Sequence, residues 1–253
     1  MINRREASIC LCSSGFSQLA LCAELMEERH QGDLMLDIET FTFDRDIVKH
    51  SVGPNKASYI PMVKNFDASI ISVASEFVGK NRRDNRDVIS TMLSSFDLPF
   101  EKDGKPYAFC AAGLAWVAAL AYARTQAQIG TGTTVTAVIQ YYGEINHYHF
   151  YPSPSVIDMV NVAKGQRRWI DKKDVKSPSE VKKGWLIVFQ FSPGAYHVGL
   201  IEGISSNQFS TIEFNTSGNS GADNRDGGSI AKKKRNFDNY VHGFISTNKI
   251  LRF

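Results

Sequence analysis

Cys110 stands in Tyr107-Ala108-Phe109-Cys110-Ala111-Ala112-Gly113-Leu114, at the head of a run that stays apolar and Ala-rich through Tyr122. Apolar side chains on every side predict a buried helix, and Pro106 just ahead of the run puts Cys110 in its first turn. There a thiol meets backbone N–H groups with no partner in the helix, and the positive end of the macrodipole. Both favour the thiolate, which is the nucleophile, and the same N–H groups can hold an oxyanion once a carbonyl is attacked. Such a thiol needs a base. His197 follows the Pro193-Gly194 turn at the head of a strand-like segment, with Tyr196 and Val198 expected on the opposite face. Glu213 and Asn215 lie sixteen and eighteen residues further on, at the end of the next strand-like segment. Residues two apart on a strand share a face, so both can point toward His197 from a neighbouring antiparallel strand. One would orient the imidazole and hold its tautomer; the other would bond the thiol or the oxyanion region. Taken singly, the cysteine also reads as a buried small residue and the histidine as an ordinary strand residue.

These side chains depend on the elements around them. Ile70, Ile71, Val73, Ala74, Phe77 and Val78 form one helical stripe, and Val88, Ile89, Met92, Leu93 and Phe96 a second. The polar run of residues 81–86 interrupts the two, and Asp103-Gly104-Lys105-Pro106 is a turn signal ahead of the cysteine helix. After about residue 184 the period changes. Residues 184–191, 196–202, 209–214, 229–237 and 240–245 read as strands separated by turns and by a polar, Gly-rich loop at 219–228. Helices first and hairpin-spaced strands afterwards predict an α+β fold with an antiparallel sheet.

The blocks Phe109-Cys110-Ala111-Ala112, Lys183-Gly184-Trp185-Leu186-Ile187-Val188-Phe189, His197-Val198-Gly199-Leu200-Ile201 and Ile212-Glu213-Phe214-Asn215-Thr216-Ser217 resemble, in order and spacing, the CHAP family. These are cysteine- and histidine-dependent amidohydrolases and peptidases, related to NlpC-type and papain-like hydrolases. Gly79 and Asn85 before the cysteine, and Gly227-Gly228-Ser229-Ile230 and Val241-His242-Gly243-Phe244-Ile245 after it, fit the same pattern, which spans residues 67–248. Two positions depart from it. Phe109 precedes the cysteine with no Gln immediately upstream as an oxyanion donor, and Gly184-Trp185 replaces the family's usual Gly-Asp. The resemblance implies a papain-like α+β domain at 67–253 behind an extension, residues 1–66, of unassigned role. It implies Cys110 as nucleophile, His197 as base, Glu213 as the residue orienting His197, and Asn215 as an auxiliary polar group. The implied activity is hydrolysis of an amide bond in peptidoglycan, as an N-acetylmuramoyl-L-alanine amidase or a stem or cross-bridge endopeptidase. It runs through a thioester acyl-enzyme and requires no metal or organic cofactor. A thiol protease or acyltransferase on a peptide outside the wall is an alternative, and so is a non-catalytic wall-binding module keeping the fold.

The rest of the chain narrows the setting. Its 253 residues are 43% hydrophobic, with 29 Lys+Arg against 26 Asp+Glu, so the +3 balance excludes a dedicated nucleic-acid binder. No apolar run is long enough to span a membrane. Cys10, Cys12 and Cys22 read as buried thiols. Residues 7–23 loosely imitate a signal peptide behind Arg4-Arg5, but Ser13, Ser14, Gly15, Ser17 and Gln18 interrupt the apolar centre. Without a cleavable signal, the protein would reach the wall by phage lysis, tail delivery or non-classical secretion. A secreted effector would come with an immunity partner. His147-Tyr148-His149, near Glu144, has two zinc-type ligands but no third at convincing spacing, and its aromatic neighbours suggest a surface or substrate-groove loop instead. Asp223-Asn224-Arg225-Asp226-Gly227 echoes a calcium loop, but with Gly227 as the turn glycine the end ligands become Ala222 and Lys233, which fails. Residues 164–183, with eight Lys/Arg against three acids, and Lys232-Lys233-Lys234-Arg235 read as solvated faces that would attract an anionic polymer.

Overall fold

Helical periodicity shapes the first part of the chain and strand alternation the second. A computed structural model describes residues 65–128, 135–142, 151–217 and 227–247, all within the unit Val52–Phe253. Several readings lie outside these residues: the three N-terminal cysteines, the signal-like stretch, nearly all of the 1–66 extension, His147 and His149, and the calcium-like loop up to Asp226.

Helix α1 (Phe66–Glu76) buries Phe66, Ile70, Val73 and Ala74, and α2 (Arg86–Ser94) buries Ile89, Met92 and Leu93. Spacings of three and four put each set on one stripe facing the core. A two-stranded hairpin follows, β1 (Glu101–Lys102) with β2 (Lys105–Pro106). Its central residues Asp103 and Gly104 have φ of 54° and 70°, the doubly left-handed geometry that a two-residue hairpin favours and that Asp-Gly accommodates. The chain then enters α3 (Cys110–Gln128), whose residues 111–123 are buried throughout. Helices α4 (Val135–Tyr142) and α5 (Val156–Gly165) follow; Ser155 caps α5 by accepting from the Asp158 N–H at 3.3 Å.

Strand β3 (Trp169–Asp171) leads, through short 3-10 turns, to β4 (Leu186–Ser192), β5 (Ala195–Ile204), β6 (Gln208–Thr216), β7 (Ser229–Asn236) and β8 (Val241–Ile245). They form one six-stranded sheet in the order β3-β8-β4-β5-β6-β7, every neighbouring pair antiparallel. β4 to β7 run as a meander; β8 returns to pair with β4 on its other side. Helix α3 packs on α1, α2 and α4 and on β5 and β6, which accounts for its being buried all round.

The sheet separates two apolar clusters. Leu186, Val188, Val198, Leu200, Ile212, Phe214 and Ile230 join the helices. Ile187, Phe189, Ile201, Phe209, Val241 and Phe244 form the other cluster with Val175, Val181 and Trp185. Alternation along β4, β5 and β6 sends successive side chains to opposite faces. The chain thus has a mixed α+β fold in which a cysteine-led helix packs on an antiparallel sheet. Among the described residues, no helix is long and apolar enough to cross a membrane.

Candidate active site

Cys110 is the first residue of α3, half-buried and outside any disulfide. One turn on, a Cβ at Gly113 would lie 2.4 Å from Cδ1 of Phe214, so only glycine lets α3 approach β6 this closely. Phe109 meets the same Phe214 ring edge-on at 6.5 Å between centroids. The turn that carries the thiol is therefore pinned onto the strand that carries Glu213.

His197 lies on β5 at 1% exposure. Its ring stacks on Phe189 and tilts against Phe191, at 6.2 Å and 6.3 Å between centroids. Nε2 of His197 is 2.9 Å from Oε2 of Glu213. Glu213 is wholly buried on β6, opposite Gly199 of β5. A Cβ at Gly199 would sit 3.0 Å from the Glu213 Cγ, so the bare glycine leaves the carboxylate room to reach across toward the imidazole. The carboxylate accepts more than this one bond. Thr211 Oγ1 donates to Oε1 at 2.6 Å, Arg235 Nε to Oε1 at 2.7 Å, and Arg235 Nη2 to Oε2 at 2.5 Å.

Burial alone would neutralise both His197 and Glu213. For Glu213 that effect is outweighed by Arg235 and His197, whose hydrogen bonds and charges hold the carboxyl down to about 2. For His197, burial pulls down hardest of any single effect, yet Cys110 and Glu213 together raise the ring to about 9. At neutral pH the site therefore holds an imidazolium beside a carboxylate. Cys110 acts on the ring as polar neighbour and as charge, whereas Nδ1 of His197 is buried with no hydrogen bond of ordinary geometry among the described residues. The two observations agree if the thiol stands beside the ring without being locked to it, as catalytic pairs often do before substrate binds.

Asn215 is placed differently from Glu213. Its φ of 56° is left-handed, which breaks the alternation of β6 at that point. Its Oδ1 accepts from Nη2 of Arg82 at 3.4 Å. The same guanidinium donates to the carbonyls of Phe100, at 3.2 Å, and Tyr107, and lies over the rings of Phe100 and Phe109 at 5.1 Å and 4.9 Å. Arg82 thus ties the segment entering Cys110 to the end of the Glu213 strand. Sequence reasoning took Arg82 only as part of a polar interruption between helices and missed this.

It also misplaced Arg235. The run 232–235 is not a solvated face throughout: Lys232 and Lys234 point to solvent, while Lys233 and Arg235, between and after them, are 5% and 8% exposed. Lys233 donates to Ser217 Oγ at 2.9 Å. The available signal was the strand period itself, because inward-facing cations beside a strand that carries Glu213 need an acid to meet. In the other basic stretch Arg168 is the exception, 1% exposed with Nη1 donating to the Ser246 carbonyl at 3.2 Å. The second described histidine, His242, belongs elsewhere, against Trp169 and Tyr196. Among the described residues no group of three or more His, Cys, Asp or Glu is arranged to hold a metal ion.

No protein-family model matches this chain, and no curated protein or solved structure matches it at a significant level.

Proposed function

We propose that the chain is a CHAP-like, papain-like cysteine hydrolase that cleaves an amide bond of peptidoglycan, with Cys110 as nucleophile, His197 as base and Glu213 orienting the base. One observation carries the reading: a buried His197 paired at 2.9 Å with a buried Glu213 and acted on by a helix-initial cysteine. Nothing in core packing calls for this arrangement, since a buried ionic pair contributes little to stability over apolar residues of the same volume.

The steps follow from the groups present. His197, as base, already holds the thiol proton in its imidazolium form, and the Cys110 sulfur attacks the amide carbonyl, giving a tetrahedral oxyanion. The first N–H groups of α3 have no partners within the helix and face that charge, a substitute for the missing upstream Gln donor. The imidazolium returns its proton to the leaving amine as the C–N bond breaks, leaving a thioester. Water, activated by the same imidazole, then hydrolyses the thioester and frees the thiol. Glu213 keeps the imidazolium paired throughout. The wall as substrate rests on the family resemblance, together with the exposed Lys173, Lys176, Lys182 and Lys183, which suit an anionic polymer.

The test is digestion of purified peptidoglycan by wild type and Cys110→Ala, with mass spectrometry of the released fragments. Fragments released only by the wild type are expected, and their new termini name the bond. No release by either protein, with Cys110 also inert to a thiol-reactive probe, overturns the enzyme and leaves a binding module. A reactive Cys110 without release moves the substrate to a peptide outside the wall.

A further inference from the structure

Glu213 has no access to water, and a carboxylate so placed ionises only if permanent positive charge or strong donors surround it. The groups around it can be named strand by strand. From β5 comes His197, whose charge changes with pH; from β6 itself comes the neutral Thr211 hydroxyl. From β7 come Arg235, with two N–H groups on the two carboxylate oxygens, and on the same face Lys233, whose ammonium is directed to Ser217. Around His197, β4 contributes only the apolar rings Phe189 and Phe191, and α3 contributes Cys110. Arg235 is therefore the cation bonded to the carboxylate that does not depend on pH. Its guanidinium also lies over the Phe189 ring at 5.2 Å.

That permanence has a consequence for the histidine. A carboxylate that stays ionised can only accept, so the ring nitrogen facing it must keep its hydrogen in both charge states. Nε2 faces Glu213, and Nδ1 is left as the atom whose proton comes and goes. Were Glu213 free to take a proton, it would donate to Nε2, and the neutral ring would then carry its hydrogen on Nδ1.

The geometry points to Arg235 as a positioning residue: by keeping Glu213 ionised it fixes the His197 proton on Nε2 and reserves Nδ1 for exchange with Cys110. This deepens the proposed function and rests on its reading of Cys110 and His197 as the working pair. Arg235 does not touch the reacting atoms; it acts through Glu213. The low titration of Glu213, to which Arg235 is the foremost favourable contributor, agrees with it.

Nuclear magnetic resonance of protein labelled with 15N-histidine and 13C-glutamate reads both claims without any substrate. In the wild type, Glu213 should not titrate above about pH 4, and His197 should keep its proton on Nε2 at both ends of a single titration of Nδ1. In folded Arg235→Gln, the Glu213 titration should move up by roughly one to three pH units, with a matching inflection in the His197 spectrum. Arg235→Lys, which keeps the charge without the two-pronged grip, should restore an ionised Glu213 and the Nε2 proton. A wild-type Glu213 that titrates together with His197, or a neutral His197 carrying its proton on Nδ1, overturns the proposal. So does a folded Arg235→Gln with wild-type spectra, or an Arg235→Lys altered as much as Arg235→Gln, which would leave Arg235 a packing role only. If Arg235→Gln does not fold, the wild-type titration and Arg235→Lys decide. Failure to release wall fragments leaves these spectra unaffected, so the two readings fail separately.

Discussion

Val198, Leu200, Ile212 and Phe214 belong to the core that β5 and β6 share with α3, whereas Glu213, interleaved with them on the opposite face, gathers His197 of β5, Thr211 of β6 and the buried Arg235 of β7 around its carboxylate. The backbone treats the two faces alike, and only the residue parity differs. On the helix side, contacts are dispersive and many, so losing one leaves a cavity that neighbours partly refill. On the other side, beside a second apolar cluster, each member of the polar group is there because a specific partner neutralises it, so losing one strands the rest in a medium that penalises bare charge. The apolar clusters can vary by volume; the charged group can vary only in matched sets. The candidate chemistry lies where the second rule holds, with Cys110 reaching it from the end of the helix that obeys the first.

The largest expected effect separates chemistry from fold. Cys110→Ala should lower amide hydrolysis by about 10,000-fold or more, while its unfolding free energy in urea stays within about 1 kcal/mol of wild type, since the side chain is only half-buried. Next come two neighbouring residues of β6, one from each face. Phe214→Ala and Glu213→Ala should each cost on the order of 3–5 kcal/mol in urea unfolding, the first by its cavity and the second by leaving Arg235 and His197 buried without their acceptor. Similar costs then part company in a histidine titration. Phe214→Ala should leave the His197 midpoint near its wild-type position; Glu213→Ala should lower it, because burial then acts unopposed on that side. Equal midpoints in the two variants would erase the distinction between the faces.

The same distinction fixes how stability depends on pH. His197, raised from 6.5 to about 9, stabilises the fold fully below about pH 6.5, and that contribution is lost as pH rises through 9. Glu213, lowered from 4.5 to about 2, stabilises it fully above about pH 4.5, and that contribution is lost as pH falls through 2. Between roughly pH 4.5 and pH 6.5 both are present, so thermal unfolding midpoints should be flat there and fall on either side. Glu213→Gln should remove the acid-side fall due to this residue and shift the alkaline one downward. An unchanged profile in Glu213→Gln would mean that the pair does not govern this pH dependence.

How much of this was readable from residues alone follows from the same physics. The buried α3 was legible because residues 111–123 are apolar on every side, and the antiparallel sheet because turn signals separate β4 to β8. That Cys110, His197 and Glu213 would come together was legible from residue type and order, and for the last two from strand parity. Strand β3 was not: Trp169-Ile170-Asp171 is too short to show alternation and is embedded in basic residues. Arg82 was not, because its role comes from carbonyls at Phe100 and Tyr107 and an amide at Asn215, none of which has a sequence signature. Asn215 itself was half legible: its place after Glu213 was clear, but the left-handed φ that redirects it was invisible in a residue that readily adopts it. Arg235 was obscured by composition, since four consecutive cations look like one solvated patch until a strand sorts them by parity.

That sorting carries the smallest effects and the sharpest check on β7. Lys232 pairs with Glu202 and Lys234 donates to Ser210 Oγ at 2.6 Å, both from the exposed side of the strand. Exposed pairs of this kind are screened by water and salt, so Lys232→Ala and Lys234→Ala should each change unfolding free energy by less than about 1 kcal/mol. Lys233 differs from them only by parity. It is buried against Ser217 beside the Glu213 face, so Lys233→Ala should cost more than either neighbour. The three variants should also differ in salt response, with the two outer lysines losing their small effect in high salt and Lys233 keeping most of its own. A Lys233 variant as mild and as salt-sensitive as its neighbours would place β7 one residue out of register. It would then turn Arg235 away from Glu213, because a single-residue slip exchanges the two faces of the whole strand.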